Sequence, residues 1–145
     1  MRPRFGTKAQ AFSGEGARLF GGRWNAEGRA VVYTSSSLSL AALETLAHAD
    51  KRRFERNYVV FRLELPQDLI TSVADEELPD DWQARVSSLG ARALGERWLL
   101  EGSAVLEVPS VIVPLEKNYL LNPQHEDFGK ITIGPPQTFK FDARL

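Results

Sequence analysis

Four side chains in this sequence have the types and settings for chemistry on a charged or glycosidic substrate: Arg23, Tyr33, Glu44 and Ser110. Arg23 lies in "LFGGRWNAEGRAVVY", beside Trp24 and between two glycine-rich turns. An arginine there is either a solvated turn residue or a guanidinium fixed by the backbone to grip a phosphate, whose oxygens match its planar fork. Glu44 lies in "LAALETLAHA", with Leu40, Leu43 and Leu46 around it. Two readings stand for it. It is an exposed helix carboxylate, or a partly desolvated one on a pocket rim that offsets developing positive charge. Ser110 follows Pro109 in a β-branched run, Tyr33 ends another, and Asn118 and Asn122 flank "YLL". Taken singly, each has an ordinary structural explanation.

Other chemistries find little support. His48 and His125 are far apart and lack HExxH-type spacing, so they read as a helix-end and a loop histidine, and no metal site is expected. There is no cysteine, which removes disulfides and thiolate ligands and suits a cytoplasmic address. Neither a G-x-S-x-G elbow nor a G-x-G-x-x-G fingerprint occurs. The formal net charge is −1, without the basic excess of a general nucleic-acid binder. No apolar stretch approaches membrane-spanning length, and the basic N-terminus lacks the apolar stretch of a signal peptide.

The elements that must position these residues follow from local pattern. The 145 residues, 43% of them apolar, suit one domain with a modest core, residues 1–145, in which 1–10 form an irregular or truncated start. The first 22 residues read as irregular, ending in the Gly21-Gly22 turn. Ala30 to Ser35 predicts a strand, followed by a helix capped by Ser36 or Ser37. Asn57 to Pro66 alternates and stops at proline, a strand pattern, and "LITSV" is another short strand. Pro79 opens a segment with Trp82, Val86 and Leu89 that reads as a short helix, and "ALGERWLLEG" as a second, closed by Gly102. Ala104 to Pro114 reads as two strand pieces around Pro109, and "EKNYLLNPQHEDF" as a polar, turn-containing stretch. "KITIGPPQTFKFDARL" supplies two last strands. Many short strands with a few helices in mixed order give an α+β class.

Together the residues carry more than they do singly. "AFSGEGARLFGGRWNAEGRAVVYTSSSLSLAALETLAH", "VPSVIVPLEKNYLLNPQHEDF" and "FKFDARL" closely resemble the RES domain family, from about Ala11 to Leu145, with the GGRWN, Tyr, ALE, VPS and NYLLNP-x-H motifs in family order. The resemblance implies a toxin paired with an Xre-like antitoxin that blocks its cleft in a larger oligomer and carries any DNA recognition. It implies a fold like that of ADP-ribosyltransferase toxins, and NAD⁺ as a substrate rather than a bound cofactor. Carried over by motif, the family's Arg is Arg23, its Glu is Glu44, its Ser is Ser110 and its pocket tyrosine is Tyr33. Asn118 and Asn122 match polar substrate-binding positions, and Trp24 packs to fix Arg23. An early family strand with Tyr-Arg or Trp-Arg falls at or beside Met1 here, where Arg2 or Arg4 stands nearest.

The chemistry implied is cleavage of the nicotinamide–ribose bond through a transition state of oxocarbenium character. Water or phosphate is the acceptor, the latter as a co-substrate. Transfer of ADP-ribose to a protein is the alternative enzyme, and a non-catalytic module that binds NAD⁺ or the antitoxin is the alternative outside catalysis.

Overall fold

The computed structural model describes residues 7–48, 57–85 and 88–145. Arg2, Arg4 and Val86 lie outside them. The chain runs through α1 (Lys8–Ala11), α2 (Glu15–Phe20), β1 (Val32–Ser35), α3 (Leu38–His48), β2 (Asn57–Val60), β3 (Leu63–Glu64), β4 (Ile70–Ser72), α4 (Leu89–Glu101), β5 (Val105–Pro109), β6 (Lys117–Leu121), β7 (Thr132–Ile133) and β8 (Gln137–Lys140). This is an α+β architecture of mixed short-stranded sheets with few helices.

The main sheet has the order β1-β6-β5-β4, and β2-β8 and β3-β7 form two small ribbons. β4 and β5 pair in parallel, which requires a long crossover, and α4 supplies it. The other two pairings are antiparallel, Val32 with Leu121 and Ser35 with Asn118 at the ends of the β1–β6 register. Both faces of this sheet are covered, and the period-two alternation of side chains sorts its residues between two cores. Leu106, Val108 and Leu120 pack with Trp24, Val31, Ala91 and Trp98 on the α4 side. Val32, Val105 and Leu121 pack with Leu69, Ala104 and Ile131 on the other.

Several sequence expectations need correction. The first 22 residues contain two short helices. Thr7 caps the first through Gln10 N at 3.2 Å, and the second runs between Gly14 and Gly21, both at positive φ. No helix forms directly after Pro79. The chain turns there, and α4 starts at Leu89, where Ser88 Oγ accepts from Ala91 N and donates to Asp81 Oδ1, each at 2.9 Å. The segment from Ser110 to Pro114 is a turn rather than a second strand piece. Ser110 Oγ accepts from the backbone N–H groups of Ile112 and Val113, an arrangement that outcompetes the β-branched preference for extension. Polar Lys117 and Asn118 mask the strand β6, which is central in its sheet.

One glycine fixes how α4 meets the rest. A Cβ on Gly95 would stand 1.7 Å from the Trp24 carbonyl oxygen, so the helix rides directly on the backbone of the Gly21–Asn25 turn. Only glycine permits that approach.

Candidate active site

The Gly22-Arg23-Trp24-Asn25 stretch is a tight reversal closed by Gly22 N to Asn25 O at 3.0 Å. Trp24 is 3% exposed and anchors the reversal in the core, with Trp82 at a ring-centroid distance of 6.4 Å. Asn25 is fully buried, and its amide nitrogen donates to the carbonyls of Ala17, Ala26 and Arg29. Its side-chain oxygen accepts the Tyr33 hydroxyl, which in turn accepts from Trp24 N at 3.2 Å. Withdrawal of that hydroxyl from water raises its pKa well above the ordinary phenol value, so Tyr33 stays neutral. The tyrosine is nonetheless 40% exposed: its hydroxyl end is tied down and its ring lies open. A Cβ on Gly22 would fall 2.5 Å from this hydroxyl, which explains the second glycine of the pair.

β1 leads into α3 through Ser37, whose Oγ accepts from Leu40 N at 3.1 Å. With 3.6 residues per turn, Ala41, Glu44, Thr45 and His48 share one face, and all four line a cleft. The cleft encloses about 730 Å³, within the range of small-molecule sites. Gly21–Trp24, Tyr33, Arg85, Arg92, Ile112 and Asn118 also line it.

Glu44 is the most constrained group in the cleft, its side chain 22% exposed. Its Oε1 accepts from Ser110 Oγ at 2.7 Å and from Asn118 Nδ2 at 2.9 Å. Asn118 is itself oriented by Ser35 Oγ, which donates to its Oδ1 at 2.8 Å. Oε2 faces His48 Nε2 at 3.8 Å. Burial works to raise the Glu44 pKa, but His48, Asn118 and Ser110 together outweigh it and hold the carboxyl below its ordinary value. Glu44 is therefore an ionised carboxylate on the cleft lining, with Oε1 fixed by two donors and Oε2 facing His48. The pocket-rim reading of its sequence context fits this placement.

The cleft unites Arg23, Trp24, Tyr33, Glu44 and Asn118. Ser110 stands behind Glu44, fully buried, its hydroxyl proton engaged by the carboxylate and its oxygen by two backbone N–H groups. It positions Glu44 rather than facing the cavity. Asn122 is not brought to the cleft. It sits beyond the far end of β6, where its Oδ1 accepts from Gln124 N at 3.0 Å in a turn. Arg23 uses Nη1 to donate to Trp82 O at 2.9 Å and Ala84 O at 2.7 Å, tying the turn after Pro79 to the cleft wall. His125 is a loop residue, its Nδ1 accepting from Asp127 N. Sequence reading missed Asn25, Ser35, Arg85 and Arg92. Asn25 was within reach because it belongs to GGRWN, whereas the arginines come from segments with no local signal.

The sequence of the chain matches one known family. The RES domain family model covers residues 2–142, and the chain belongs to that family. Among its relatives, a protein named Toxin Res from Pseudomonas putida (strain KT2440) is 40% identical over 136 residues, covering 92% of this chain and 91% of the relative. Another Toxin Res, from Photorhabdus laumondii, is 39% identical over 137 residues, 93% of this chain and 88% of the relative. A protein named Prs ADP-ribosylating toxin from a Sphingobium species is 36% identical over 142 residues, 95% of this chain and 88% of the relative.

Proposed function

We propose that this protein is a toxin that binds NAD⁺ in the cleft and cleaves its nicotinamide–ribose bond. The observation that carries this reading is Glu44, ionised, with Oε1 fixed by two donors and Oε2 held 3.8 Å from His48, in a cleft also lined by the exposed Tyr33 and by Arg23. The names of the relatives support it, since ADP-ribosylation breaks the same bond.

In this reading the C–N bonding pair leaves with nicotinamide, neutralising the pyridinium, so departure needs no general acid. Glu44 Oε2 accepts a hydrogen bond from a ribose hydroxyl and stabilises the positive charge that builds on the ring carbon. Tyr33 offers its face to the cationic nicotinamide of the ground state. Its tethered hydroxyl fixes the ring plane. Arg23 keeps the Nε and Nη2 edge of its guanidinium for a phosphate oxygen. An acceptor oxygen then bonds to the ribose carbon. Water gives up a proton and yields ADP-ribose, while phosphate yields ADP-ribose 1″-phosphate.

The partner in this reading is an Xre-like antitoxin that covers the cleft in an oligomeric complex, and the site of action is the cytoplasm, where NAD⁺ is drawn from the cell's own pool. The test is incubation with NAD⁺, with and without phosphate, following nicotinamide and the ribosyl product by NMR. Nicotinamide release that falls by about 100-fold or more in Glu44→Gln is the expected result. The Sphingobium relative's name favours a second reading, transfer to a protein, for which label on a protein band in cell extract is the signature. Binding of NAD⁺ with no nicotinamide release in buffer, with phosphate or in cell extract removes catalysis altogether.

A further inference from the structure

Among the described residues, three arginines pair with carboxylates. Arg18 pairs with Glu15, Arg29 with Glu96 and Arg144 with Asp142. Arg92, the fourth residue of α4, is half-buried, lines the cleft and meets no carboxylate among the described residues. A guanidinium withdrawn from water without a counter-charge is costly unless something anionic completes it. Its placement is set by the glycine corner. Nε lies 3.4 Å from Gly22 O, and Nη2 packs 3.6 Å from where a Gly21 side chain would begin. Neither Nη group has a hydrogen-bond partner among the described residues. Arg23 stands in the same turn, with Nη1 engaged by two carbonyls and no partner for Nε or Nη2 among the described residues. Both arginines line the same cleft as Gly21, Gly22 and Tyr33.

We propose that Arg92 and Arg23 form a diphosphate-binding subsite at the Gly21–Gly22 corner of the cleft. A diphosphate ester carries one negative charge on each phosphate, and one arginine with half its fork engaged cannot neutralise both. Arg92 supplies the second cation, and the absence of a side chain at Gly21 leaves room beside its Nη2. The ligand class, a dinucleotide or nucleoside diphosphate ester, rests on the NAD⁺ reading of the cleft. Gly95 is what makes the subsite, because it lets α4 approach closely enough for Arg92 to reach over the turn.

The experiment is calorimetric titration of the intact chain with ADP-ribose and, separately, with inorganic pyrophosphate. Wild type is compared with Arg92→Gln, Arg92→Lys and Arg97→Gln. Arg97 lies on the same helix but lines a different depression, so its loss changes net charge without touching the cleft. Loss of a charge-assisted fork weakens binding of both ligands by about tenfold or more in Arg92→Gln. Arg97→Gln stays within about twofold, since a distant exposed charge is screened. Arg92→Lys falls between, keeping the charge but not the fork. Wild-type affinity in Arg92→Gln, or an equal loss in Arg97→Gln, overturns the subsite while leaving NAD⁺ cleavage untouched. If Arg92→Gln fails to fold, Arg92→Lys decides, and wild-type affinity there overturns the proposal. Arg92-dependent pyrophosphate binding by a protein that neither binds ADP-ribose nor cleaves NAD⁺ keeps the subsite and overturns the function. Wild type that binds neither ligand overturns both.

Discussion

At the scale of single residues, Glu44 derives its properties from neighbours brought by other elements. Ser110 and Asn118 donate to the same oxygen, so each constrains the carboxylate's rotation and favours its ionised form. Ser110→Ala should lower kcat by about tenfold with less effect on KM, because a hydrogen bond to a charged group is lost. The same substitution should raise the Glu44 pKa toward its ordinary value. The acid limb of the pH–rate profile then moves to higher pH, a shift that mere loosening of the fold would not produce. Linkage gives a companion result. A carboxyl with a lowered folded-state pKa contributes stability above its ordinary unfolded value of 4.5, and that contribution disappears as pH falls through the lowered value. Urea titrations of wild type and Glu44→Gln should therefore converge below about pH 4.5. A gap that widens with acidification would contradict the assignment.

At the scale of elements, the cleft depends on close backbone packing. The Gly21–Asn25 reversal, β1 and α4 meet at the Trp24 backbone, and the meeting point is Gly95. Gly95→Ala forces the helix away from the turn and should cost about 3 kcal/mol in denaturant unfolding, the upper end of overpacking effects. Gly129→Ala is the control. Nothing lies within 4 Å of a Cβ there and its φ is not positive, so its stability should stay within about 0.5 kcal/mol of wild type. Equal losses at the two positions would mean that the contact with Trp24 does not govern the packing. The crossover helix α4 thus does two things. It satisfies the chain geometry that a parallel β4–β5 pair demands, and it carries Arg92 to the cleft.

At the scale of the whole molecule, no helix among the described residues is long and apolar enough to cross a membrane. Residues of α3, the glycine corner, Arg85 and Arg92 all line the cleft, so a ligand that fills it ties several elements together. A ligand that binds only the folded state stabilises it by mass action. ADP-ribose at about 100 times its Kd should raise stability by about 2.7 kcal/mol, read as a rise in thermal midpoint. That rise should shrink in Arg92→Gln. An undiminished rise in that variant would place the ligand elsewhere.

The sequence by itself determined the α+β class, the strand into Tyr33, the helix bearing Glu44, and the ordered motifs that mark the family. These depend on local pattern: β-branched runs, helical spacing and a serine cap are written within a few residues of one another. Tertiary structure decided the rest. Ser110 is a support for Glu44 instead of a group facing the cavity because its hydroxyl is engaged on every side by atoms distant or hidden in the sequence. Asn122 lies away from the cleft because the three residues of extended strand between it and Asn118 carry it beyond the far end of β6. Arg92 had no local signal at all. Its significance comes from a glycine three residues further along the same helix and a turn 70 positions earlier in the chain, contacts that only folding brings together.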